Sequence, residues 1–485
     1  MTLPVSFPRR CFSIASSVAF AVLLAVLMLA DCRSAAAIAL PGSTVRAIPA
    51  FARKYGMPCS ACHEAWPKLN FFGQSFKDNG YQLGNDRDAP IFQNPAYWPA
   101  TFRMTPIWHR ENENRVAVDD PTAPGGTVER SITNHGFDWS GLDFHTAGTL
   151  AKNFSFYVLP SSDNTGAFHF ESVWGRVDNI GGSPWLNIKL GKFELDNLLS
   201  EKRILTLTNV SGVYTNYHFQ PATETFGNQL AIPFVFGIGD NQAGLEIMGH
   251  SRNDRTRYSV SLLSGDDGSP GITNTGRGYD GFFTFYQAFQ LGRLGLQRVG
   301  AFSLIGQSPT FFQYTSDGTG IAGTGIGNKG FYRNGLFSEF FIERFDLTAM
   351  YFHSGDSAYL ATGTAADAPL PTGAREAIWN GGLFEATYMY NPQIALIGRY
   401  ELVRMEQQGL PVNAAAAFTP GVSVPGEGFG NMDVWTVGWR YYPFINSRAG
   451  FAFHNEYAVS RQRGVSPSGL DLNFSSLLFG FDFDF

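Results

Sequence analysis

The sequence predicts a mainly β protein: a closed antiparallel barrel of about sixteen strands behind a small helical N-terminal module. Three observations lead there. Charged residues make up only 16% of the 485, aromatics reach 15%, and 44 Phe stand beside 54 Gly. Soluble domains carry about 25% charge, yet a mean hydropathy of −0.09 is far too low for a bundle of membrane helices. Second, apolar and polar residues alternate with period two from residue 98 to the end. Third, short and long connections alternate down that stretch, as turns and loops do in an outer-membrane barrel with one face to lipid and one to water.

The elements follow in chain order. Residues 1–39 read as an export signal: Arg9 and Arg10, an apolar run from Phe20 to Ala30, then Ala37-Ile38-Ala39 before Leu40. Cys11 to Ala30, twenty mostly apolar residues, could instead be a membrane anchor, but the small-residue site follows at cleavage distance. Cleavage removes three basic residues and one acidic one, so the mature chain is more acidic than the full chain's −6. That balance speaks against a nucleic-acid partner. Cys11 and Cys32 leave with the signal, and Cys59 and Cys62 remain.

Both thiols lie in Cys59-Ser-Ala-Cys62-His63, in the module of residues 40–97. A Cys-x-x-Cys-His run can bond the two vinyl groups along one haem edge and offer the histidine as proximal iron ligand. A thioredoxin-like redox pair would sit in a βαβ unit, which the flanks do not show. A zinc site would need two more ligands, and no other cysteine is there to give them. The expected cofactor is one covalent haem c. Leu69, Phe72 and Phe76 share one helical face that could cover it, and Asn79-Gly80 would stop that helix. For the distal ligand, Met57 lies too close to Cys59 to reach the opposite face. Met104 and His109 lie downstream at loop-closing distance. If 101–109 is already a strand, Met104 looks at lipid with Phe102 and Trp108, and His109 looks inward.

Residues 98–485 carry the strands. Leu477, Phe479, Phe481, Phe483 and Phe485 line one face of the last segment, with Gly480, Asp482 and Asp484 on the other. Trp435, Val437, Trp439 and Tyr441 alternate in the same way, as do Phe451, Phe453 and Tyr457, and Tyr258, Val260 and Leu262. Tight connections are expected at 152–153, 181–184, 252–255, 391–393 and 445–447, and long loops near 110–132, 264–279, 306–329, 354–379 and 405–431. The stretch from Glu194 to Asp240 either folds inward as a constriction or lies on the surface. Asp266-Asp267 reads as a pair of solvated loop acids.

The run Phe51-Ala-Arg-Lys-Tyr55, Cys59-x-x-Cys-His63, Pro67-x-Leu69-Asn70, Gly73, Phe76-Lys77 and Gly80-Tyr81, followed by a barrel-length body, resembles the outer-membrane fused monohaem cytochrome–porins of iron-oxidising bacteria. The detailed match runs from Pro49 to Gly84; beyond it the likeness is architectural. The resemblance implies oxidation of extracellular Fe(II) at the haem, with electrons passed to periplasmic carriers. These would be soluble c-type cytochromes or, in acidophiles, a blue-copper protein. It carries haem attachment onto Cys59 and Cys62 and iron ligation onto His63, and it supplies no distal ligand and no Fe(II) site. Two alternatives stay open: a conduit of the same build for another extracellular donor or acceptor, or a transport porin with a structural or sensory haem.

Overall fold

The computed structural model describes residues 50–66, 68–83, 99–138, 142–163, 165–195, 238, 241–264, 279–309, 313–314, 320–321, 328–362, 369–410, 428–444, 450–464 and 470–484. The export signal, Phe485, Asp266-Asp267 and most of the stretch from Glu194 to Asp240 lie outside these. Ala47 onward forms one compact unit.

Sixteen antiparallel strands close into a barrel. They are β1 (Ala100–Met104, continuing as Ile107–Asp119), β2 (Thr127–Asp138, continuing as Asp143–Ala151), β3 (Phe154–Ser162), β4 (Phe168–Val177), β5 (Asn187–Glu194), β6 (Asn241–His250), β7 (Thr256–Leu263) and β8 (Asp280–Gln290). The remainder are β9 (Leu296–Pro309), β10 (Asn328–Ile342), β11 (Phe345–Asp356), β12 (Ala377–Asn391), β13 (Ile394–Gln407), β14 (Met432–Tyr441), β15 (Gly450–Gln462) and β16 (Leu472–Asp484). Each pairs with the next, and β16 closes the ring on both parts of β1, with Phe483 opposite Met104 and Leu477 opposite Arg110. The breaks in β1 and β2 face each other, and the one in β1 holds Pro106, which has no N–H for the ladder.

The even strand count puts both ends of the barrel wall at the rim of short turns. Those turns fall where the alternation stops, at 152–153, 178–186, 251–255, 291–295, 343–344 and 392–393, and the expected turn at 445–447 lies outside the described residues. The strands run further than expected into the stretch near 110–132: β1 reaches Asp119 and β2 restarts at Thr127. Most of that hairpin's side chains are at least partly open to water, so it had no buried face to impress a period on its sequence.

The alternation sorts the two faces. Val437 is 57% exposed on the outside, while Thr436 beside it is 1% exposed on the inside. On β16, Asp482 and Asp484 turn inward between the outward Phe481 and Phe483. The inner wall is polar over much of its circumference, with Arg298 donating to Glu339 at 2.6 Å and Arg440 to Asp482 at 2.9 Å. One sector differs. Phe282, Phe302, Phe337, Phe352 and Trp379 come one each from β8 to β12 and are all buried in a continuous apolar cluster. A Cβ at Gly300, Gly335 or Gly381 would strike the ring of Phe337, Phe302 or Phe352, so the glycines let these rings lie against the neighbouring strand.

Candidate functional site

The N-terminal segment lies inside this barrel. Helix α1 (Ala50–Tyr55) ends at Gly56, whose φ of 68° suits a residue without a side chain. Cys59–Ala61 forms a single 3₁₀ turn, and His63–Ala65 pairs with Lys68–Leu69 in a small ribbon. Asn70 then caps helix α2 (Phe71–Asp78) by accepting from the Gly73 amide at 2.9 Å, and its own amide donates back to the Ala61 carbonyl at 3.0 Å. One asparagine thereby ties the helix to the thiol loop. Gly73 completes the junction, since a Cβ there would collide with the Cys62 carbonyl oxygen. The helix stops at Asn79-Gly80, with the Tyr81 amide returning to the Phe76 carbonyl at 2.9 Å.

Between this segment and the barrel wall is a half-enclosed, largely apolar cavity with about 1350 Å³ of empty space, its mouth included. Cys59, Cys62 and His63 line it together with Leu69, Phe72 and Phe76, the apolar face picked out in the sequence. Leu69 stands in the ribbon, two residues before the helix begins. The opposing wall comes from the barrel: Thr101 and Arg103 of β1, His145 and Ala147 of β2, Tyr157 of β3 and Asp484 of β16. The two cysteines form no disulfide. Burial pushes both thiols up to about 11, Cys59 with help from the nearby Asp484 carboxylate.

Ion pairs and polar contacts seat the segment from several sides. Arg257 of β7 pairs with Asp78, and Lys68 pairs with Asp346 of β11; all four side chains are buried. Arg176 of β4 donates to the Lys77 and Asp78 carbonyls at the end of α2. Tyr442, just past β14, donates to the Trp66 carbonyl at 3.0 Å. Ala50 donates to Thr101 at 2.9 Å, and Tyr81 stacks on Tyr157 and Trp174 at ring distances of 6.4 and 6.2 Å. The inward polar positions of the barrel are the sockets for the module.

The donor set suits a haem: two thiols and an imidazole in one loop face an apolar space. Met104 and His109 are not among the lining residues. Met104 follows Phe102 on the outward face of β1, as the period-two reading required. His109 pairs with Leu478, whose side chain is buried, and lies further up the barrel beside Glu111. Met57 and His145 do line the cavity. His145 was invisible in the sequence as a site residue; its only signal is that it shares inward parity with Asp143 and Ala147.

No protein-family model matches the chain, and no curated protein matches it. Solved structures with similarity include the outer-membrane channel DcaP of Acinetobacter baumannii, 10% identical with a TM-score of 0.46, covering 80% of this chain and 97% of that one. OprB of Pseudomonas putida is 10% identical with a TM-score of 0.42, over 79% and 94%. OmpF of Salmonella typhi, in complex with daunomycin, is 10% identical with a TM-score of 0.44, over 83% and 99%.

Proposed function

We propose that this chain is an outer-membrane c-type cytochrome that takes electrons from extracellular Fe(II) and hands them to periplasmic carriers. The observation that carries the reading is the thiol–thiol–imidazole loop facing an apolar cavity inside a membrane-type barrel. A haem bound there supplies a one-electron centre. Cys59 and Cys62 would hold it covalently and His63 would ligate its iron. Leu69, Phe72 and Phe76 keep water from it, and an apolar surround of that kind tunes the potential of a metal centre. The reaction needs no acid, base or nucleophile. One Fe(II) outside becomes Fe(III), one oxidised carrier beneath is reduced by the same electron, and no bond to the protein forms or breaks.

Outer-membrane placement is supported by the outward rows of Val, Phe, Tyr and Trp on the closed barrel. The short-turn rim, where both barrel ends lie, would face the periplasm. A second reading is a solute passage with a structural haem, because sixteen-stranded barrels can hold an aqueous channel. The module within the lumen and the dry aromatic sector from β8 to β12 favour the electron reading. Adding Fe(II) to the purified oxidised protein should reduce its α-band promptly. Absence of reduction at every pH where Fe(II) stays soluble, together with sugar flux in loaded liposomes, would transfer the conclusion to the second reading.

A further inference from the structure

Resting on the reading that the cavity holds haem c, we propose that Tyr157 is a redox-active tyrosine, with His145 as its proton acceptor, that guards the site against peroxide. Three aromatic rings of the kinds that give up an electron meet at the cavity wall. Tyr81 of the module stacks on Tyr157 of β3 at 6.4 Å and on Trp174 of β4 at 6.2 Å. Tyr157 in turn stacks on Trp174 at 5.9 Å. All three are buried, and both tyrosines line the cavity. The stack therefore borders the space that the haem would fill.

The hydroxyl of Tyr157 singles it out. It lies 3.0 Å from His145 Nδ1, close enough for its proton to pass to the imidazole. The other ring nitrogen, Nε2, faces the Asp143 carboxylate at 3.8 Å, and Asp143 is itself held by Ser161 and by Arg103 at 3.6 Å. With Nε2–H turned to that carboxylate, Nδ1 is left to accept from the tyrosine. Once His145 has taken the proton, the carboxylate stabilises the imidazolium. Losing electron and proton together leaves Tyr157 neutral, which its buried position favours.

Hydrogen peroxide, a by-product of Fe(II) meeting oxygen, takes two electrons and two solvent protons to become two waters. Tyr157 would give one electron, its O–H bond breaking as the proton moves to His145 Nδ1, and one Fe(II) would give the other. A second Fe(II) would return the electron to Tyr157 as the proton comes back from His145. Two Fe(II) thus become two Fe(III) for each peroxide.

The test reads the radical and does not depend on the iron-oxidising activity. Wild-type, Tyr157→Phe, Tyr81→Phe and His145→Phe proteins, grown with ring-deuterated tyrosine, are purified oxidised, mixed with hydrogen peroxide and freeze-quenched. Intact mass and heat-modifiable gel mobility read the haem adduct and the folded barrel in each. By electron paramagnetic resonance the wild type should give a tyrosyl signal, narrowed by the label. Tyr157→Phe should lose that signal and bleach its haem faster, while Tyr81→Phe should keep it. In deuterated water the wild-type radical should show the exchangeable coupling of a hydrogen bond to its oxygen, and His145→Phe should lose that coupling. A wild type without the signal or without the coupling overturns the assignment, as does a signal that persists in Tyr157→Phe. A wild type with no haem adduct overturns the underlying haem reading instead.

Discussion

The module and the barrel around it are held by different forces. The barrel is a continuous hydrogen-bonded ladder that closes on itself, and its stability comes from backbone pairing and an outer face that prefers lipid. Among the described residues the module has two short helices and a two-strand ribbon; part of its apolar surface lines a cavity, and Phe76, Tyr81 and Trp66 join apolar clusters with the wall. It is fixed by side chains reaching in from the wall and, on the proposal above, by the group it binds. The barrel ladder closes without any residue of the module, whereas the module is seated by the barrel wall and, on the proposal above, by its ligand.

The largest expected effect separates the two outright. Cys59→Ser with Cys62→Ser should abolish the covalent adduct completely, read by intact mass, while the barrel keeps its heat-modifiable mobility. Loss of both together would end the contrast. Next comes the seat of the module. Arg257→Ala leaves the Asp78 carboxylate buried without its cation, which costs about 3–5 kcal/mol when a buried pair is broken. Limited proteolysis should then cut within the module much faster while the strands stay protected.

On the barrel side, Val437→Arg puts a charge on the lipid face, worth about 2–4 kcal/mol near the midplane. Urea titration in lipid vesicles should show that loss with no change in the module's protease resistance. Gly73→Ala forces a methyl group against the Cys62 carbonyl, an overpacking cost of about 1–3 kcal/mol. It should lower the yield of haem attachment more than it shifts barrel unfolding.

The smallest effect is in pH. In protein without haem the thiols of buried Cys59 and half-buried Cys62 are pushed up to about 11, against 9.0 for an ordinary cysteine. Because the folded value is the higher, their contribution to stability is complete below about pH 9 and is lost as pH rises through 11. Alkylation of the thiols should accordingly keep accelerating with pH past the point where a free cysteine levels off. A plateau near pH 9 would mean that the loop is open to water.

Particular residues show why some of this could be read from the chain. The inward and outward rows on β14, β15 and β16 were legible because lipid on one side and lumen on the other impose opposite chemistry at a period of two. The Cys-x-x-Cys-His run was legible because its chemistry is local. The hairpin ending at Asp119 and Thr127 was not, since much of its surface meets water on both sides and no contrast marks its period.

The sequence alone determined the alternation of faces, the tight turns and the thiol–thiol–imidazole loop, because each depends on neighbours within a few residues. Only the tertiary structure decided which wall residues meet that loop. Arg103, His145, Tyr157 and Asp484 are spread over more than 380 positions of the chain and reach one cavity because the last strand closes on the first. Ring closure is a property of all sixteen strands together, and no local pattern encodes which of their inward positions will share a neighbour.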